Sequence, residues 1–423
     1  ETEAIHPGYG FLSENHALAA ACGAAGLVFI GPPPDAIVRM GSKIASRRIA
    51  AEAGVPVVPG ETPPDQSDEA VAASARAIGL PVLVKPSEGG GGIGMKAVRD
   101  AASLPGAIRQ ARREAAAAFG DGTLYVERLV ERPRHVEIQI MADSDGHAVH
   151  LFERDCSVQR RHQKIIEESP APAIGAAVRA RMGEAAVALA KAAGYVNAGT
   201  IEFLVEGAGD EARFYFLEMN TRLQVEHPVT EMVTGVDLVQ AQLDVAEGRP
   251  LPWTQDALAQ RGHAIECRIY AEAPAQGFLP QAGRIIHWEQ PSGPGVRVDA
   301  GFESGSDVAV HYDPLLAKLI VTGATRAEAI RRALRALDEF IVLGVHTNIA
   351  FLASVLRSGT FMAGDAHTRW VDEEVATLAG APPPELAELA ARAASATSEQ
   401  SGLIAGPGAA PPDPWRDLRG WGR

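Results

Sequence analysis

The stretch Glu218-Met219-Asn220-Thr221-Arg222-Leu223-Gln224-Val225-Glu226-His227 follows two runs of strand character, Gly199-Thr200-Ile201-Glu202-Phe203-Leu204-Val205 and Phe214-Tyr215-Phe216-Leu217-Glu218-Met219-Asn220. The polar segment 206–213 separates the runs, which therefore read as a hairpin. In an extended chain, side chains two residues apart share a face. Glu218, Asn220, Arg222, Gln224 and Glu226 are expected on one face, in the parity of Phe214 and Phe216. Met219, Leu223 and Val225 are expected to point into a core. Two acids, two amides and an arginine make a poor generic surface and a good site. Glu202 on the neighbouring run brings a second carboxylate near Glu218. Glu202, Glu218 and the Asn220 carbonyl, completed by phosphate oxygens and water, suit Mg²⁺ (or Mn²⁺). The bland alternative is an exposed polar strand face.

Upstream, Pro81-Val82-Leu83-Val84-Lys85 reads as a strand entering Gly89-Gly90-Gly91-Gly92-Ile93-Gly94, and Met95-Lys96-Ala97-Val98 looks extended again. Consecutive glycines let backbone N–H groups close on an anion without side-chain clash. No Gly-Lys-Ser/Thr follows, so this is not a Walker A loop. A strand follows where a dinucleotide-binding fingerprint needs a helix. Lys85 at the base of the loop can reach a phosphate as a point charge. A flexible linker is the other reading.

A third cluster lies in Glu153-Arg154-Asp155-Cys156-Ser157-Val158-Gln159-Arg160-Arg161-His162-Gln163-Lys164. It reads either as a solvated charge run or as a local anion pocket in which His162 and Lys164 meet phosphate or bicarbonate. Arg268, in Glu266-Cys267-Arg268-Ile269, stands on an apolar strand and either pairs with a carboxylate or points into a site.

The 423 residues carry 39 Lys and Arg against 53 Asp and Glu, a net charge of −14, which argues against a broad cationic surface for nucleic acid. The three cysteines, Cys22, Cys156 and Cys267, are far apart and form no pairing or zinc pattern. No run of about 18 apolar residues occurs, so no membrane span is expected. A reducing compartment fits: the cytoplasm, or the mitochondrial matrix in a eukaryote. Residues 42–53 read as a helix with Ser42 as N-cap and Gly54 as stop, residues 104–119 as another, and 325–340 as a third.

Taken together, several segments in fixed order resemble the biotin carboxylase component of biotin-dependent carboxylases, a branch of the ATP-grasp enzymes. They are His6-Pro7-Gly8-Tyr9-Gly10-Phe11-Leu12-Ser13-Glu14-Asn15, Met40-Gly41-Ser42-Lys43, the glycine loop, Pro133-Arg134-His135-Val136-Glu137, the Arg154-to-Lys164 cluster, the segment 218–230 and Glu266-Cys267-Arg268. The resemblance covers about residues 1–375. It implies a mixed α+β and α/β fold: an ATP-grasp with a glycine-rich lid, part of a preceding N-terminal domain, and a β-rich C-terminal domain. The implied division is 1–41 for the remainder of the N-terminal domain and 42–257 for the ATP-grasp, with its lid at about 58–130. Residues 258–375 follow as the C-terminal domain, and 376–423 as a linker toward a carrier-bearing region.

The resemblance also implies roles. Lys43, Lys85, Gly91, Gly92, Glu127, Arg128, Leu129, Val130, His135 and His162 would hold ATP. Glu202, Glu218 and Asn220 would bind the metals. Lys164, Arg222, Gln224 and Val225 would hold bicarbonate or carboxyphosphate, and Glu226 would be the base that deprotonates bicarbonate. Arg268 would stabilise the biotin enolate, with Arg222 also facing the reacting groups and Tyr9 near the biotin pocket. Implied partners are bicarbonate, a biotin carboxyl carrier domain, further copies of the chain and a carboxyltransferase subunit. The alternatives are another ATP-grasp ligase joining a carboxylate to an amine, or a fragment that only binds carrier or partner subunits.

The family pattern is not matched throughout. The resemblance begins part-way into the family's first domain, which is expected to expose a sheet edge there. Ile93 stands where a basic residue is usual, and Glu88 adds a negative charge beside the loop. No Met-Lys-Met biotin-attachment motif occurs in these residues, so biotin is expected on a continuation of the chain or another subunit. The texture of 271–279 and the segment 413–421 resemble the α subunits of acyl-CoA carboxylases, the methylcrotonoyl-CoA type included.

Overall fold

The structure is a computed structural model that describes residues 2–87 and 94–379. Its centre is an eight-stranded antiparallel sheet in the order Arg213–Asn220, Asn197–Glu206, Arg134–Ala142, Ala148–Arg160, Gln163–Ser169, His263–Tyr270, Leu315–Gly323 and Val296–Ala300. One sheet thus runs unbroken across the division expected between residues 257 and 258. The alternation in 134–142 and 197–206 produces it: Val136, Ile138, Ile140, Ile201, Phe203 and Val205 pack on one side. They meet Val178, Met182, Ala186 and Leu189 of the helix Ala176–Ala192 in one core.

A bulge between Glu202 and Phe203 breaks the simple parity of the hairpin. Glu202 pairs with Glu218, but Phe203 pairs with Phe216, so Leu217 is passed over. Phe214, Phe216 and Met219 consequently all lie in the core, and the expectation that the two phenylalanines share the Glu218 face is corrected. An extra residue in one strand inverts alternation beyond it. The strand also stops at Asn220. Residues 221–226 are turns leading into the helix His227–Thr234, so Arg222, Gln224 and Glu226 are brought together by turns rather than by an extended face.

A smaller sheet holds Gly60–Glu61, Leu124–Arg128, Val82–Pro86 and Lys96–Val98 in that order. The helices Asp68–Ile78 and Leu104–Phe119 cover it, and Val71, Ala75, Val82, Val84, Leu104, Ile108, Leu124 and Val126 make a separate core. Both runs flanking the glycine loop are strands, as the sequence suggested, and Val82–Pro86 pairs antiparallel with Lys96–Val98. Gly91, Gly92, Ile93 and Glu88 lie outside the described residues, as does 380–423.

Ser42 caps Lys43–Glu52 by accepting from the Ala45 N–H, and Thr325 caps Arg326–Glu339 by accepting from the Glu328 N–H. The chain leaves the first of these helices through Gly54 at φ +77°, a left-handed conformation that glycine adopts without a Cβ penalty. Three further helices, Ile349–Arg357, Gly359–Ala363 and Trp370–Leu378, follow in the region read as β-rich; the last runs past Ala376 into the span read as linker. Near the start of the chain, Ala4–Ile5 pairs in parallel with Val28–Phe29.

Candidate active site

Between the two sheets lies a cavity of about 1270 Å³. Its wall includes nearly every residue singled out above: Tyr9, Lys43, Lys85, Glu127 through Val130, His135, His162, Lys164, Glu202, Glu218, Asn220, Arg222, Gln224, Val225 and Arg268. Glu226 sits just behind the wall, fully buried.

Strand register builds the acidic floor. Glu218, Glu202, Glu137 and Arg154 are successive cross-strand partners on four neighbouring strands. Three carboxylates in a row repel one another, and the sequence answers with cations from three directions. Lys164 Nζ donates to Glu137 at 2.5 Å, to Glu226 at 2.6 Å and to Glu202 at 2.9 Å. Arg154 Nε donates to the other oxygen of Glu137 at 2.6 Å. His135 Nε2 lies 3.0 Å from Glu202 Oε2, a close ion-pair contact that lacks hydrogen-bond alignment.

Burial pushes the Lys164 ammonium down, but Glu137, Glu202 and Glu226 together hold it well above its ordinary value. Burial pushes Glu226 up, but Lys164, Arg268 and Arg154 outweigh it and hold the carboxyl well below the carboxylate range. Glu218 behaves oppositely. Burial, then the facing Glu202 charge, raises it, so a bound cation would relieve the charged form. Asn220 supports this arrangement: its Nδ2 donates to Glu202 at 2.9 Å and its Oδ1 accepts from Arg222 at 3.2 Å. The groups His135–Glu137–Glu202 and Glu137–Cys156–Glu226 also place donor atoms within 4.8 Å of one another. Lys164 and Arg154 already hold Glu137, and Lys164 holds Glu226, whereas Glu218 and Glu202 face each other and, with the Asn220 carbonyl, offer the oxygen donors that suit Mg²⁺.

The anion pocket proposed for the Arg154-to-Lys164 cluster is narrower than the sequence suggested. Arg154 is fully buried, bonded to Glu137, Gln139, Thr230 and Thr200. Arg160 stacks 4.1 Å from the Phe278 ring centre and pairs with Glu272. Only Gln159, His162, Gln163 and Lys164 of the cluster reach the cavity. Arg154 shares the face of Glu137 but is sealed beneath Thr230 of the helix His227–Thr234, so it braces the floor instead of meeting an anion.

On the opposite wall, Lys85 Nζ lies 2.7 Å from Glu127 Oε1, and Arg47 lies 3.7 Å from its other oxygen. The Arg128 guanidinium makes a two-pronged pair with Glu206 at 3.0 and 3.1 Å, tying the smaller sheet to the larger.

Arg268 combines both of its readings. Its Nε donates to Glu167 at 2.6 Å and its Nη2 to Glu226 at 2.9 Å, while the side chain also lines the cavity. Four residues that the sequence reading left without a role hold the site. Glu137 was quoted in a motif, and its alternation with His135 could have flagged it. Glu14 accepts from the Thr221 N–H at 2.9 Å and from Arg222 Nε at 3.0 Å. Lys318 Nζ donates to the Val225 carbonyl at 2.9 Å and stands over the Tyr9 ring. Glu167 is the fourth. Lys318 and Glu167 carry no local signal; only the sheet brings them in.

These two sheets, enclosing a cavity lined by lysines and paired acids, define an ATP-grasp fold. Residues 42–254 match the family model described as the carbamoyl-phosphate synthase L chain ATP-binding domain. Residues 1–37 and 266–373 match the N-terminal and C-terminal domains of biotin carboxylase. The chain belongs to the biotin carboxylase family, the ATP-dependent ligases that carboxylate biotin. It is 51 % identical over 370 residues to the alpha chain of the mitochondrial methylcrotonoyl-CoA carboxylase of Dictyostelium discoideum, covering 87 % of this chain and 52 % of that protein. It is equally 51 % identical over 371 residues to a pyruvate carboxylase chain of Methanothermobacter thermautotrophicus, covering 88 % of this chain and 75 % of that one. Among solved structures, the biotin carboxylase domain dimer of Hydrogenobacter thermophilus 2-oxoglutarate carboxylase, in complex with MgADP, ADP and bicarbonate, superposes with a TM-score of 0.84 at 42 % identity. That match covers 90 % of this chain and 83 % of the other. The chain spans about half the length of the Dictyostelium relative. Equal identity to relatives named for different acceptors means that the matched residues define the family rather than the acceptor. No described helix is long and apolar enough to cross a membrane.

Proposed function

We propose that this chain uses ATP and bicarbonate to carboxylate biotin presented on a carrier domain. The observation that carries the reading is the position of Glu226, with Lys164 on one oxygen and Arg268 on the other at the cavity wall.

Lys43, Lys85, His135 and His162 hold the nucleotide, together with backbone groups of 127–130 and of the loop containing Gly91 and Gly92. Glu202, Glu218 and Asn220 hold Mg²⁺ or Mn²⁺, which supplies charge neutralisation at the phosphates. Bicarbonate sits against Lys164, Arg222, Gln224 and Val225. Glu226 accepts its proton as the bicarbonate oxygen attacks the γ-phosphorus, releasing ADP and forming carboxyphosphate. That intermediate splits to CO₂ and phosphate, the phosphate takes the proton of the biotin ureido N–H, and the freed nitrogen bonds to CO₂ beside Arg268 and Tyr9.

Glu226 in the resting site is a weak base, because Lys164 and Arg268 hold it deprotonated. The same cations are the natural partners of an incoming anion. When bicarbonate draws Lys164 toward itself, Glu226 loses stabilisation of its charge and its proton affinity rises. The base is thereby activated by the arrival of its own substrate. Closing the smaller sheet over the nucleotide keeps water from the labile intermediate.

The acceptor is proposed to be an acyl-CoA of the methylcrotonoyl, propionyl or acetyl type, reached through a carboxyltransferase subunit, with the chain assembled as a homo-oligomer. The proposed location is the cytoplasm, or the matrix if the source is eukaryotic. ADP release measured with and without bicarbonate, and with and without free biotin, tests the catalytic reading. Release that needs bicarbonate and rises with biotin is expected; ADP release indifferent to both would refute it, and nucleotide binding with no turnover would favour a binding fragment.

A further inference from the structure

Arg268 is gripped from two sides by acids of different character. Glu226 lies in the turn before the helix His227–Thr234, next to the bicarbonate residues. Glu167 lies deep in the sheet on Gln163–Ser169, fully buried, and is the cross-strand partner of Glu266 on the Arg268 strand. Glu167 Oε2 and both carboxyl oxygens of Glu266 are buried without a hydrogen-bond partner among the described residues. Two unpartnered carboxylates on facing positions would be costly if both were charged. The charged groups around them are Arg268 from the same strand as Glu266, Lys318 from Leu315–Gly323, Lys164 from the Glu167 strand, and Glu226. Burial, only partly offset by Arg268, pushes Glu167 up to about 7, and burial drives Glu266 well above its ordinary range. Arg268 donates to Glu167, whereas neither oxygen of Glu266 has a partner among the described residues, so the negative charge of the facing pair is favoured on Glu167, behind Arg268.

We propose that Glu167, backed by Glu266, is the positioning residue of Arg268: a buried anchor on which the guanidinium pivots when it leaves Glu226 for biotin. The proposal rests on the reading that Arg268 faces biotin. Its logic is the order of events. Glu226 loses its charge when it takes the bicarbonate proton, and its grip on Nη2 weakens at that moment. A long side chain held by Glu226 alone would then be released into all its rotamers. Glu167 Oε1 accepts from Nε, the atom nearer the stem, and also lies 2.6 Å from Nη2, so Arg268 stays aimed when Glu226 lets go and the N–H of Nη2 that faced Glu226 becomes available.

The test is steady-state ADP release by the full chain, with and without free biotin. Glu167→Gln is expected to raise the biotin KM at least ten-fold, while the ATP KM and the bicarbonate-dependent ADP release without biotin change by less than about two-fold. Glu266→Gln, a neutral stand-in for a protonated carboxyl, is expected to leave the biotin KM within two-fold. A parallel loss of all three quantities in Glu167→Gln would reduce Glu167 to fold support and overturn the proposal, as would an unchanged biotin KM. Should Glu167→Gln fail to fold by urea denaturation, Glu167→Asp, which keeps the charge but retracts it, decides the matter: a raised biotin KM supports the anchor and an unchanged one sinks it. A wild-type chain whose ADP release ignores biotin overturns the reading of the site, and the anchor with it; Glu167→Gln alone failing leaves that reading standing.

Discussion

Lys164 Nζ lies 2.6 Å from Glu226 Oε1, and the same ammonium reaches Glu137 and Glu202 at 2.5 and 2.9 Å. One cation thus compensates three carboxylates, one of which is the proposed base. Lys164→Met leaves those acids facing one another in a buried site. Breaking a buried pair by removing one partner costs about 3–5 kcal/mol. The denaturant midpoint is expected to fall accordingly and bicarbonate-dependent ADP release to drop at least about a hundred-fold. An unchanged midpoint would show that the acids are neutralised by other means.

Arg154 is a support of that constellation rather than a contact for substrate. With Glu137 it forms a fully buried pair at 2.6 Å. Arg154→Met alone should destabilise the fold by about 3–5 kcal/mol. Arg154→Met combined with Glu137→Leu should cost less than the sum of the two single changes, because each single change strands a charge and the double does not. A double-mutant cycle by urea unfolding measures the difference, and strict additivity would contradict the pairing.

The metal reading makes a separate demand. Glu218→Gln removes an acid that burial and the facing Glu202 make expensive to leave charged. Mn²⁺ affinity, followed by electron paramagnetic resonance with a non-hydrolysable ATP analogue present, should fall at least about ten-fold, the smaller loss typical even of outer-shell partners. Affinity equal to that of the wild type would remove Glu218 from the metal site.

Acid sensitivity should have an identifiable source at His227. Burial pushes its pKa down to about 3, and its Nδ1 faces the Gln224 carbonyl at 2.8 Å, which places the ring proton there. The unfolded chain takes up a proton near pH 6.5 that the folded chain refuses until about pH 3. Stability is therefore undiminished by this residue above about 6.5 and declines as pH falls below it, by up to roughly 1.4 kcal/mol per pH unit. His227→Gln, which retains a donor toward Gln224, should flatten that slope. Unfolding free energies at pH 7.5 and pH 5 compare the two, and equal slopes would exclude the assignment.

Gly60 pairs with Glu127 at the edge of the smaller sheet and lines the cavity. A Cβ there would meet Val126 O and Glu127 Cβ at 2.6 Å each. Backbone cannot rotate aside as a side-chain tip can, so Gly60→Ala should destabilise by about 1–3 kcal/mol, the cost of overpacking. ATP affinity by calorimetry should weaken in parallel, since Glu127 and Lys85 stand on the displaced strands. A neutral or stabilising Gly60→Ala would mean that the edge strand moves away freely.

The sequence by itself determined the elements and most of the cavity wall. Hairpin, caps and the helices 42–53 and 104–119 follow from periodicity and turn chemistry over a few residues, which is why they were legible. Motif order was enough to assemble Lys85, Glu202, Glu218, Asn220, Arg222, Gln224 and Arg268 into one site, all of which line the same cavity. Three things needed the tertiary structure. The bulge after Glu202 sends Phe214 and Phe216 into the core, because an irregularity in pairing leaves no trace in alternation along a single strand. Arg154 does not reach the cavity although it shares the sheet face of Glu137, because Gln139, Thr200 and, from the helix after the site, Thr230 close on its guanidinium. Glu14, Glu167 and Lys318 hold Arg222, Arg268 and the Val225 carbonyl across long separations in sequence, where no spacing rule operates. Residue chemistry chose the reactive groups; the register of the eight-stranded sheet set which charge each one faces, and in a buried site that neighbour fixes its protonation.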